Sequence, residues 1–559
     1  MPEGSHAVSP LERDQLLSVK ETLVGIVIAF VMAFVFRGFV IEGFVIPTGS
    51  MAPTLLGEHF RAEGPESGYG WDVGPTPRSG SMQDLDVTDP VLGTRVTQPG
   101  ARRRSGDRVF VLKYLDGIHE PKRWDVVVFK NPGTRETYIK RLVGKPGEQI
   151  ALVDGDVFAR EFVPGTTTTR GADAWREDGW GVRRKGERVQ RAVWQPVFDA
   201  RYTPRRPGPG FRAPFEPGPG WEGLTGSGAG SRWTFSGTGT GTLTWRSSVP
   251  IEDWYAYNEL QQGRVVPHFP VSDVSVSMAV EPEAGEVVPE FELATRGYVF
   301  QARVVEGASG LEGVVRMREE GSDEWTELDR GPAGAGAFRA GRATPVEFWH
   351  VDQALWLFVD GALVCGGPET GGYELSPARR IERATGNTLE QALDRPNYGN
   401  GVTTAGGLAD VTQYRAPVLS VRVTGGPATV HAMKVQRDLH YHINTGNKPT
   451  HGAHPDYFPT LTDKRYFVCG DNSPNSKDSR LWAVGDGSPD PWVAHENDPR
   501  IPSIDRSLLT QEQYREFEAS VGTVHRDLLV GQGFLVYFPA PTRVFGIPVP
   551  DVGRARWIW

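Results

Sequence analysis

One long apolar segment near the N-terminus interrupts an otherwise mixed pattern of polar and apolar positions. Fourteen consecutive apolar residues run from Leu23 to Phe36, fewer than the ~20 that a helix needs to cross a bilayer. Counted from Leu16 to Val40 the segment has twenty-five residues. Lys20 and Arg37 lie near its ends, where long basic side chains can reach the lipid headgroups. The pattern predicts one transmembrane helix.

Two other interpretations of this segment are less favoured. A cleavable signal peptide needs small residues at a cleavage site after its apolar core, whereas the bulky sequence RGFVIEGFVIP follows Phe36. A buried core helix would show an amphipathic stripe, which this segment lacks. We therefore expect an uncleaved anchor. Its orientation does not follow from charge, because Arg13 and Lys20 before the span barely outweigh Arg37 after it.

Beyond the anchor, short runs of β-branched and aromatic residues alternate with Gly- and Pro-rich turns, which predicts a mainly β protein. Residues 161–232 are rich in Pro, Gly and Arg and predict a partly irregular connector. From residue 233, regularly spaced strand patterns favour a β-sandwich. The hairpin at 346–361 resembles the central hairpin of laminin-G or concanavalin-like sandwiches. Some such sandwiches bind glycans or proteins, and others are inert scaffolds.

Charge and cysteine content limit the functions open to the chain. Sixty basic and sixty-nine acidic residues give a net charge of −9, which argues against a nucleic-acid-binding surface. The high content of Gly (68) and Pro (44) fits a turn-rich protein. Cys365 and Cys469 are the two cysteines. We expect two separate buried thiols, although a fold that brought them together would let them pair.

Four histidines fall within fifteen residues, in the sequences HYH and HGAH: His440, His442, His451 and His454. A metal site needs converging ligands and supporting contacts behind them. Histidines in a Gly- and Pro-rich loop are more often surface residues. We therefore predict neither a metal nor a cofactor.

The segment PTGSMAPTL, residues 47–55, follows the anchor closely. Pro53 disfavours a helical conformation at Ala52, and Gly49 leaves space beside the hydroxyl of Ser50. By itself, this segment is equally well interpreted as a polar loop leaving a membrane helix. The next polar turn opens GDRVFVLKY at 106–114 and is followed by KRWDVVVFKNP at 122–132, which predict two strands.

A lysine with two chemical interpretations lies in YIKRLVGKPG, residues 138–147. Strand alternation places Tyr138, Lys140 and Leu142 on one face. Lys140 either extends to the edge of the sheet or is desolvated between its neighbours. Desolvation lowers the pKa of a lysine, and an uncharged amine near pH 7 can act as a general base.

The last segment of interest is a dense polar loop at 470–480, GDNSPNSKDSR, directly after the apolar run Tyr466–Cys469. A surface turn is one interpretation. A network of hydrogen bonds that supports a reactive site is the other.

These segments, in this order after an N-terminal anchor, resemble the motifs of bacterial type I signal peptidases, which are serine peptidases with a Ser–Lys dyad. They read PTGSMAPTL, GDRVFV, YIKRLVGKPGE and GDNSPNSKDSR. VGQGFLVYFP at 530–539 also resembles the last core strand of that family. The similar stretches cover roughly residues 16–56, 105–160 and 462–540, well under half of the chain.

The resemblance implies roles for residues around the serine. Ser50 matches the nucleophile and Lys140 the general base. The Thr48 hydroxyl and the Ser50 backbone N–H match the oxyanion hole, and Met51 and Pro53 are expected close to the substrate.

The resemblance also implies roles for the polar loop. Ser476 matches the residue that orients the lysine amine, and Asp471, Asp478 and Arg480 match a supporting network. Ser473-Pro474 departs from the family pattern, in which Arg and another polar residue are common.

The same resemblance implies an architecture and a location. The expected substrates are membrane-tethered preproteins, and the expected location is the inner cell membrane, in a single pass with the catalytic domain on the extracytoplasmic face. The predicted segments are a tail (1–15), the anchor (16–40), a first catalytic segment (41–160), the connector (161–232), a β-sandwich insertion (233–440), and a second catalytic segment with a C-terminal tail (441–559).

Two alternatives stay open. In the first, the chain is a specialised processing peptidase of the same superfamily. In the second, it is a membrane-anchored β-sandwich binding protein with an inactive peptidase remnant. The presence of Ser50, Lys140 and Ser476 weighs against the second. A glycan or a protein is the candidate ligand of the insertion, and the sequence assigns that insertion no role.

Overall fold

The computed structural model confirms the mainly β class. It describes residues 10–114, 118–131, 136–163, 165, 168–204, 211, 213–226, 230–262, 268–394, 406–441, 450–462, 464–482, 522–544 and 547–559. Every strand pairing among these residues is antiparallel. Hairpins with short connections account for the pairings of consecutive strands, such as Tyr298–Gly307 with Gly310–Glu319, whereas other pairs, such as Thr137–Gly144 with Arg465–Cys469, are far apart in sequence.

A single 30-residue helix, Pro10–Phe39, contains the apolar segment. Its stretch from Ser18 to Phe39 is long and apolar enough to cross a membrane, and none of its most apolar window is buried against the rest of the protein. A helix satisfies its own backbone hydrogen bonds, as a membrane span must. The chain then enters the strand Ile41–Val45 almost at once.

The central sheet carries the motif-containing segments. Its order is Ile41–Val45, Arg108–Lys113, Leu529–Phe538, Val126–Lys130, Thr137–Gly144, Arg465–Cys469 and Val524–His525, with Arg556–Trp557 added to Leu529–Phe538. The insertion separates the fifth of these strands from the sixth in sequence, yet the two are neighbours in the sheet. Val468, for example, pairs with Leu142.

Two small sheets flank the central sheet. One has the order Gly181–Val182, Asp156–Glu161, Glu148–Val153 and Thr460–Leu461. The other has the order Gly70–Val73, His59–Glu63, Arg95–Arg104 and Met82–Thr88. The second was not anticipated from the sequence, where residues 59–104 show no clear alternation. A further hairpin joins Thr542–Val544 to Ile547–Val549.

The middle of the chain forms two packed sheets, as a β-sandwich requires. The first runs Gln195–Asp199, Ala428–Arg437, Val274–Pro282, Thr344–Val351, Ala354–Val359 and Ala362–Gly366, with Arg232–Phe235 paired to Ala428–Arg437. The second runs Phe215–Pro217, Gly239–Trp245, Val418–Gly425, Val288–Thr295, Tyr298–Gly307, Gly310–Glu319 and Thr326–Pro332. Their inner faces share one hydrophobic core, in which Phe291 of one sheet stacks on Phe348 of the other at 5.8 Å.

The strands expected from alternation between residues 233 and 440 form, with small shifts at their ends. The sequence analysis missed Val288–Thr295 and Thr326–Pro332. It also assigned 161–232 to a connector, whereas Gln195–Asp199 and Phe215–Pro217 are strands of the sandwich. Their Pro and Gly content hides the alternation. The other α-helices among the described residues are short: Glu187–Val193, Glu259–Gln262, Pro377–Thr385, Leu389–Asp394 and Ser479–Trp482.

Both cysteines and two of the four clustered histidines lie in the interior. Cys365 and Cys469 are free and buried, as predicted. The prediction of surface histidines is wrong for His440, which is buried and stacks on Phe269, and for His451, which packs against Phe467. Burial lowers the pKa of both imidazoles.

The physical reason for this correction is that the loop carrying His451 and His454 folds inward beside the strand Glu148–Val153. His454 is accordingly only partly exposed. His442 lies outside the described residues.

A buried network of ion pairs joins the sandwich to the small sheet that contains Glu148–Val153. Asp154, in the turn after Glu148–Val153, accepts two hydrogen bonds from Arg296, at 2.6 and 2.8 Å. Arg380 approaches the same carboxylate at 2.8 Å. All three side chains are fully buried. Because an unpaired buried charge is costly, each of these residues depends on the others.

We predict that Asp154→Asn lowers the free energy of unfolding by about 3–5 kcal/mol, because two buried guanidinium groups lose their shared anion. Denaturant unfolding of the full chain in detergent measures this change. The control is Asp360→Asn, at an exposed pair with Arg342, which we expect to change the same quantity by less than about 1 kcal/mol. Equal effects at the two sites would contradict the role assigned to the buried network.

Candidate active site

Ser50 lies in a single turn of 3-10 helix, Gly49–Met51, which follows the first strand of the central sheet. The Ala52 N–H donates to the Gly49 carbonyl at 3.0 Å and closes the turn. The side chain of Met51 is buried with Leu55 in the core beneath it. The buried side chain of Met51 therefore holds the turn in place, while Ser50 stays partly exposed.

Lys140 reaches Ser50 from the neighbouring strand Thr137–Gly144. Its Nζ donates to Ser50 Oγ at 2.8 Å and to the Ile139 carbonyl at 3.0 Å. Only 4% of the residue is exposed. Desolvation lowers the pKa of the Lys140 amine to about 8, because burial disfavours the charged form. Of the two interpretations of this lysine, the desolvated one matches the structure.

The Ser50–Lys140 pair faces an open cleft of about 1240 Å³. Thr48 and Ser50 line one side of it, and Tyr138 and Lys140 line another. Further lining residues come from three other regions: Pro75–Ser79 with Arg103, the sandwich residues Tyr257, Leu260 and Gln261, and the loop residues Asn475 and Lys477. A cleft open to solvent beside a buried amine can hold an extended peptide against the serine.

Asp471 is held by an arginine that the sequence analysis did not single out. Arg141 donates to both carboxylate oxygens, at 2.8 and 2.6 Å. Thr54 Oγ1 donates to Asp471 as well, at 2.5 Å. Both charged side chains are fully buried. This bidentate pair joins the loop after Arg465–Cys469 to the strand that carries Lys140.

Asp478 and Arg480 form a second buried pair, with Nη2 to Oδ2 at 2.7 Å. Burial by itself would raise the pKa of Asp478, but the Arg480 guanidinium holds that pKa below its usual value. The Gly470 N–H also donates to Asp478 at 2.8 Å. Ser473, the position that departs from the family pattern, accepts from Arg480 at 2.7 Å and joins this network.

Ser476 is buried close to Gly470 and Asp478. Among the hydrogen bonds of the described residues, none joins Ser476 to the Lys140 amine. The contacts of that amine are instead Ser50 Oγ and the Ile139 carbonyl. Ser476 therefore lies within the loop that supports the Lys140 amine, but it does not make the orienting hydrogen bond to that amine that the resemblance implies.

Two predicted substrate-proximal residues do not line the cleft. Met51 is fully buried in the core, and Pro53 lines a separate cavity near Trp71 and Trp254. That these two residues lie close to the substrate stays a prediction, and the geometry leaves their side chains outside the lining of the cleft. The reason is the tight turn, which points residues next to Ser50 inward.

Asn472 is a further polar residue of the site. Its backbone N–H donates to the Ser50 carbonyl at 3.1 Å, and its Nδ2 donates to the Gly49 carbonyl at 2.9 Å. Arg141, Thr54 and Asn472 all lie inside the quoted motifs. The sequence shows these three as polar residues next to apolar runs, and this position is the feature by which they could have been found.

One group of carboxylates lies close enough together to suggest metal ligands. Oxygens of Asp156, Asp273 and Asp352 come within 4.8 Å of one another. Arg380 lies 3.3 Å from Asp156, and Lys185 lies 2.6 Å from Asp352. Two protein cations thus already lie against these three carboxylates, which we interpret as belonging to the buried ion-pair network.

Comparison with known proteins gives a family match in the region of Lys140. Residues 99–167 match the family described as signal peptidase, peptidase S26. Signal peptidase I of Rickettsia bellii (strain OSU 85-389) is 29% identical over 136 residues, which cover 24% of this chain and 37% of the relative. The Rickettsia prowazekii enzyme is 29% identical over 164 residues, which cover 27% and 48%.

A shorter match with higher identity is signal peptidase I T of Bacillus subtilis, 40% identical over 53 residues, or 10% of this chain and 28% of that one. The chain spans less than half the length of these curated relatives.

Among solved structures, the carbohydrate binding module CBM66 from Bacillus subtilis aligns with 39% of this chain and 95% of its own. It does so with 8% identity and a TM-score of 0.21, too low to support an argument. The family match and the curated relatives confirm the resemblance to type I signal peptidases that the four motifs predict.

Proposed function

We propose that this protein is a membrane-bound serine endopeptidase that cleaves N-terminal signal peptides from secreted precursors. The observation that carries the proposal is the 2.8 Å contact between Lys140 Nζ and Ser50 Oγ, beside an open cleft. The similarity to signal peptidases supports the substrate class. In this proposal Ser50 is the nucleophile and Lys140 is the general base.

The reaction proceeds through an acyl-enzyme. The uncharged Lys140 amine takes the proton of the Ser50 hydroxyl while Oγ forms a bond to the scissile carbonyl carbon. The carbon–nitrogen bond then breaks, and the leaving amine takes a proton from the Lys140 ammonium. Water, deprotonated by the same amine, next attacks the ester. The ester bond breaks, Ser50 Oγ recovers its proton, and the carboxylic acid product leaves.

An oxyanion develops on the substrate carbonyl in both steps and needs hydrogen-bond donors. The Ser50 N–H and the Thr48 hydroxyl are the proposed donors. Both residues belong to the wall of the cleft, and Thr48 precedes the tight turn that carries Ser50. Asp471 and Asp478 hold the loop behind the amine, each through its own arginine.

The proposed site of action is the membrane surface. The apolar helix ends at Phe39, eleven residues before Ser50, so the cleft stays close to the end of the span. A nucleophile in this position suits a substrate that is itself tethered in the bilayer. A single pass through the inner membrane, with the cleft on the extracytoplasmic face, completes the proposal.

We predict that Ser50→Ala and Lys140→Ala each reduce cleavage at least about 1,000-fold, because members of a catalytic unit act together. The measurement is cleavage of a precursor with Ala at −3 and −1 by purified full-length protein in detergent. Ser81→Ala and Lys145→Ala change the same residue types at exposed positions and should keep full activity.

Full activity of either Ser50→Ala or Lys140→Ala would refute the dyad. Cleavage of only a narrow set of precursors would favour a specialised processing peptidase. No cleavage by the wild-type protein would favour a binding protein.

The rate should depend on pH through Lys140. Because the pKa of the amine is about 8 and the uncharged form is the base, kcat/KM should fall about tenfold for each pH unit below 8. Above that pH it should level off. A series of assays from about pH 5.5 to 9.5 measures the profile, with thermal midpoints as the control for unfolding. A rate that still rises steeply with pH at the upper end of this range, as the ordinary lysine pKa of 10.5 would produce, would contradict a desolvated base.

A further inference from the structure

A short segment of the insertion lies directly against the turn that carries Ser50. It comprises Tyr255–Gln261 and contains a 3-10 turn, Ala256–Asn258, followed by the start of the helix Glu259–Gln262. The sequence analysis placed it in the sandwich insertion and gave it no chemical role. In the structure it is wedged between the cleft and the small sheet at 59–104.

Tyr257 fills the space that Gly49 leaves open. A Cβ atom added to Gly49 would lie 2.2 Å from Tyr257 Cε1, so the ring rests on the backbone beside Ser50. The Tyr257 hydroxyl donates to the Glu58 carbonyl at 2.9 Å, and its ring is buried with Ala52 and Leu56. Glycine at 49 is therefore required by contact with the insertion.

Asn258 connects this segment to the peptide group next to Ser50. It exchanges two hydrogen bonds with Asn472: Asn258 Nδ2 donates to Asn472 Oδ1 at 2.6 Å, and Asn472 Nδ2 donates back at 2.8 Å. The second hydrogen of Asn472 Nδ2 reaches the Gly49 carbonyl at 2.9 Å. Both asparagines are buried, so water does not compete for these bonds.

The Gly49 carbonyl and the Ser50 N–H belong to one planar peptide group. Fixing the direction of that carbonyl therefore fixes the direction of the N–H on the opposite side. The Ser50 N–H is the proposed oxyanion donor. Asn258 thus controls, through Asn472, where this donor points.

The rest of the segment is anchored firmly enough to hold this geometry. The Glu259 carboxylate is buried and accepts from the Thr88 N–H and hydroxyl at 2.7 Å each, and from Arg95 at 2.6 Å. Gln261 donates to the Pro75 carbonyl at 2.8 Å and accepts from Asn475. Leu260 and Gln261 then line the cleft beside Ser50.

We propose that the insertion is a working component of the catalytic site, in which Asn258 is a positioning residue for the Ser50 oxyanion donor and Leu260 is a wall of the substrate cleft. This inference rests on the proposed peptidase function. It assigns Asn258 an effect on turnover and Leu260 an effect on substrate binding. The insertion is then not an accessory module.

The test compares kcat and KM of full-length variants in detergent on the Ala-x-Ala precursor. Asn258→Ala should lower kcat at least about tenfold and leave KM within about twofold, because a misdirected donor acts on the transition state. The pH midpoint should not move, since Lys140 keeps its surroundings. Asn258→Asp keeps an acceptor for Asn472 Nδ2 and should recover some of the lost kcat.

The Leu260→Ala variant tests the wall of the cleft. It should raise KM more than it lowers kcat, because it removes contact surface that ground and transition states share. The matched control for Asn258→Ala is Asn387→Ala. Asn387 is an asparagine of the insertion that donates to Gln413 and lies outside the cleft. That variant should keep both constants.

Folding is checked by thermal midpoint, and Asn258→Leu, which preserves side-chain volume, replaces Asn258→Ala if the latter does not fold. A folded Asn258 variant with wild-type kcat, alongside an inactive Ser50→Ala, would overturn this inference alone. An unchanged KM in Leu260→Ala would overturn the claim about the cleft wall. A Ser50→Ala protein that still cleaves, or an inactive wild type, would overturn the proposed function and this inference together.

Discussion

The structure around the cleft depends on burying one lysine among carboxylates while its pKa stays below the ordinary value. Desolvation lowers the pKa of Lys140 from 10.5 to about 8, and Asp478 and Asp471 oppose that change. The shift corresponds to about 3 kcal/mol, so stronger opposition would cancel it. Each carboxylate is therefore paired with its own buried arginine, Arg480 or Arg141. The two ion pairs build a polar loop around the amine while the arginines offset the negative charge of the carboxylates.

This requirement explains why the loop at 470–480 is polar and yet largely buried. Asn472 uses its donors on the Gly49 and Ser50 carbonyls and on Asn258. Each of these hydrogen bonds restricts the conformation of the turn that carries Ser50. A site built in this way is rigid before any substrate arrives, and preorganised donors stabilise developing charge better than mobile ones.

The sandwich is joined to the segments outside it at two places. At one, Asp154 in the turn after Glu148–Val153 pairs with Arg296 and Arg380 of the sandwich. At the other, Tyr257 and Asn258 press on the turn that holds Ser50. Both joints are buried and polar, and neither tolerates a partial set of partners. An insertion larger than the sheet it interrupts is thus tied to it by specific contacts, and the site inherits its rigidity from both.

The sequence by itself determined the apolar helix, the mainly β class and most strands of the sandwich, and it singled out Ser50 and Lys140 as candidate residues. These follow from local periodicity and from short motifs whose residues are close together in the chain. The strands at 195–217 and the sheet at 59–104 were not predicted, because Pro, Gly and Arg there mask the alternation of polar and apolar residues.

Only the tertiary structure decided how deeply Lys140 is buried, where His440 and His451 lie, and which partners hold Asp471. It alone brought Asn258 to Asn472, 214 positions away. Such contacts leave no local pattern, because they depend on where the fold closes and excludes water.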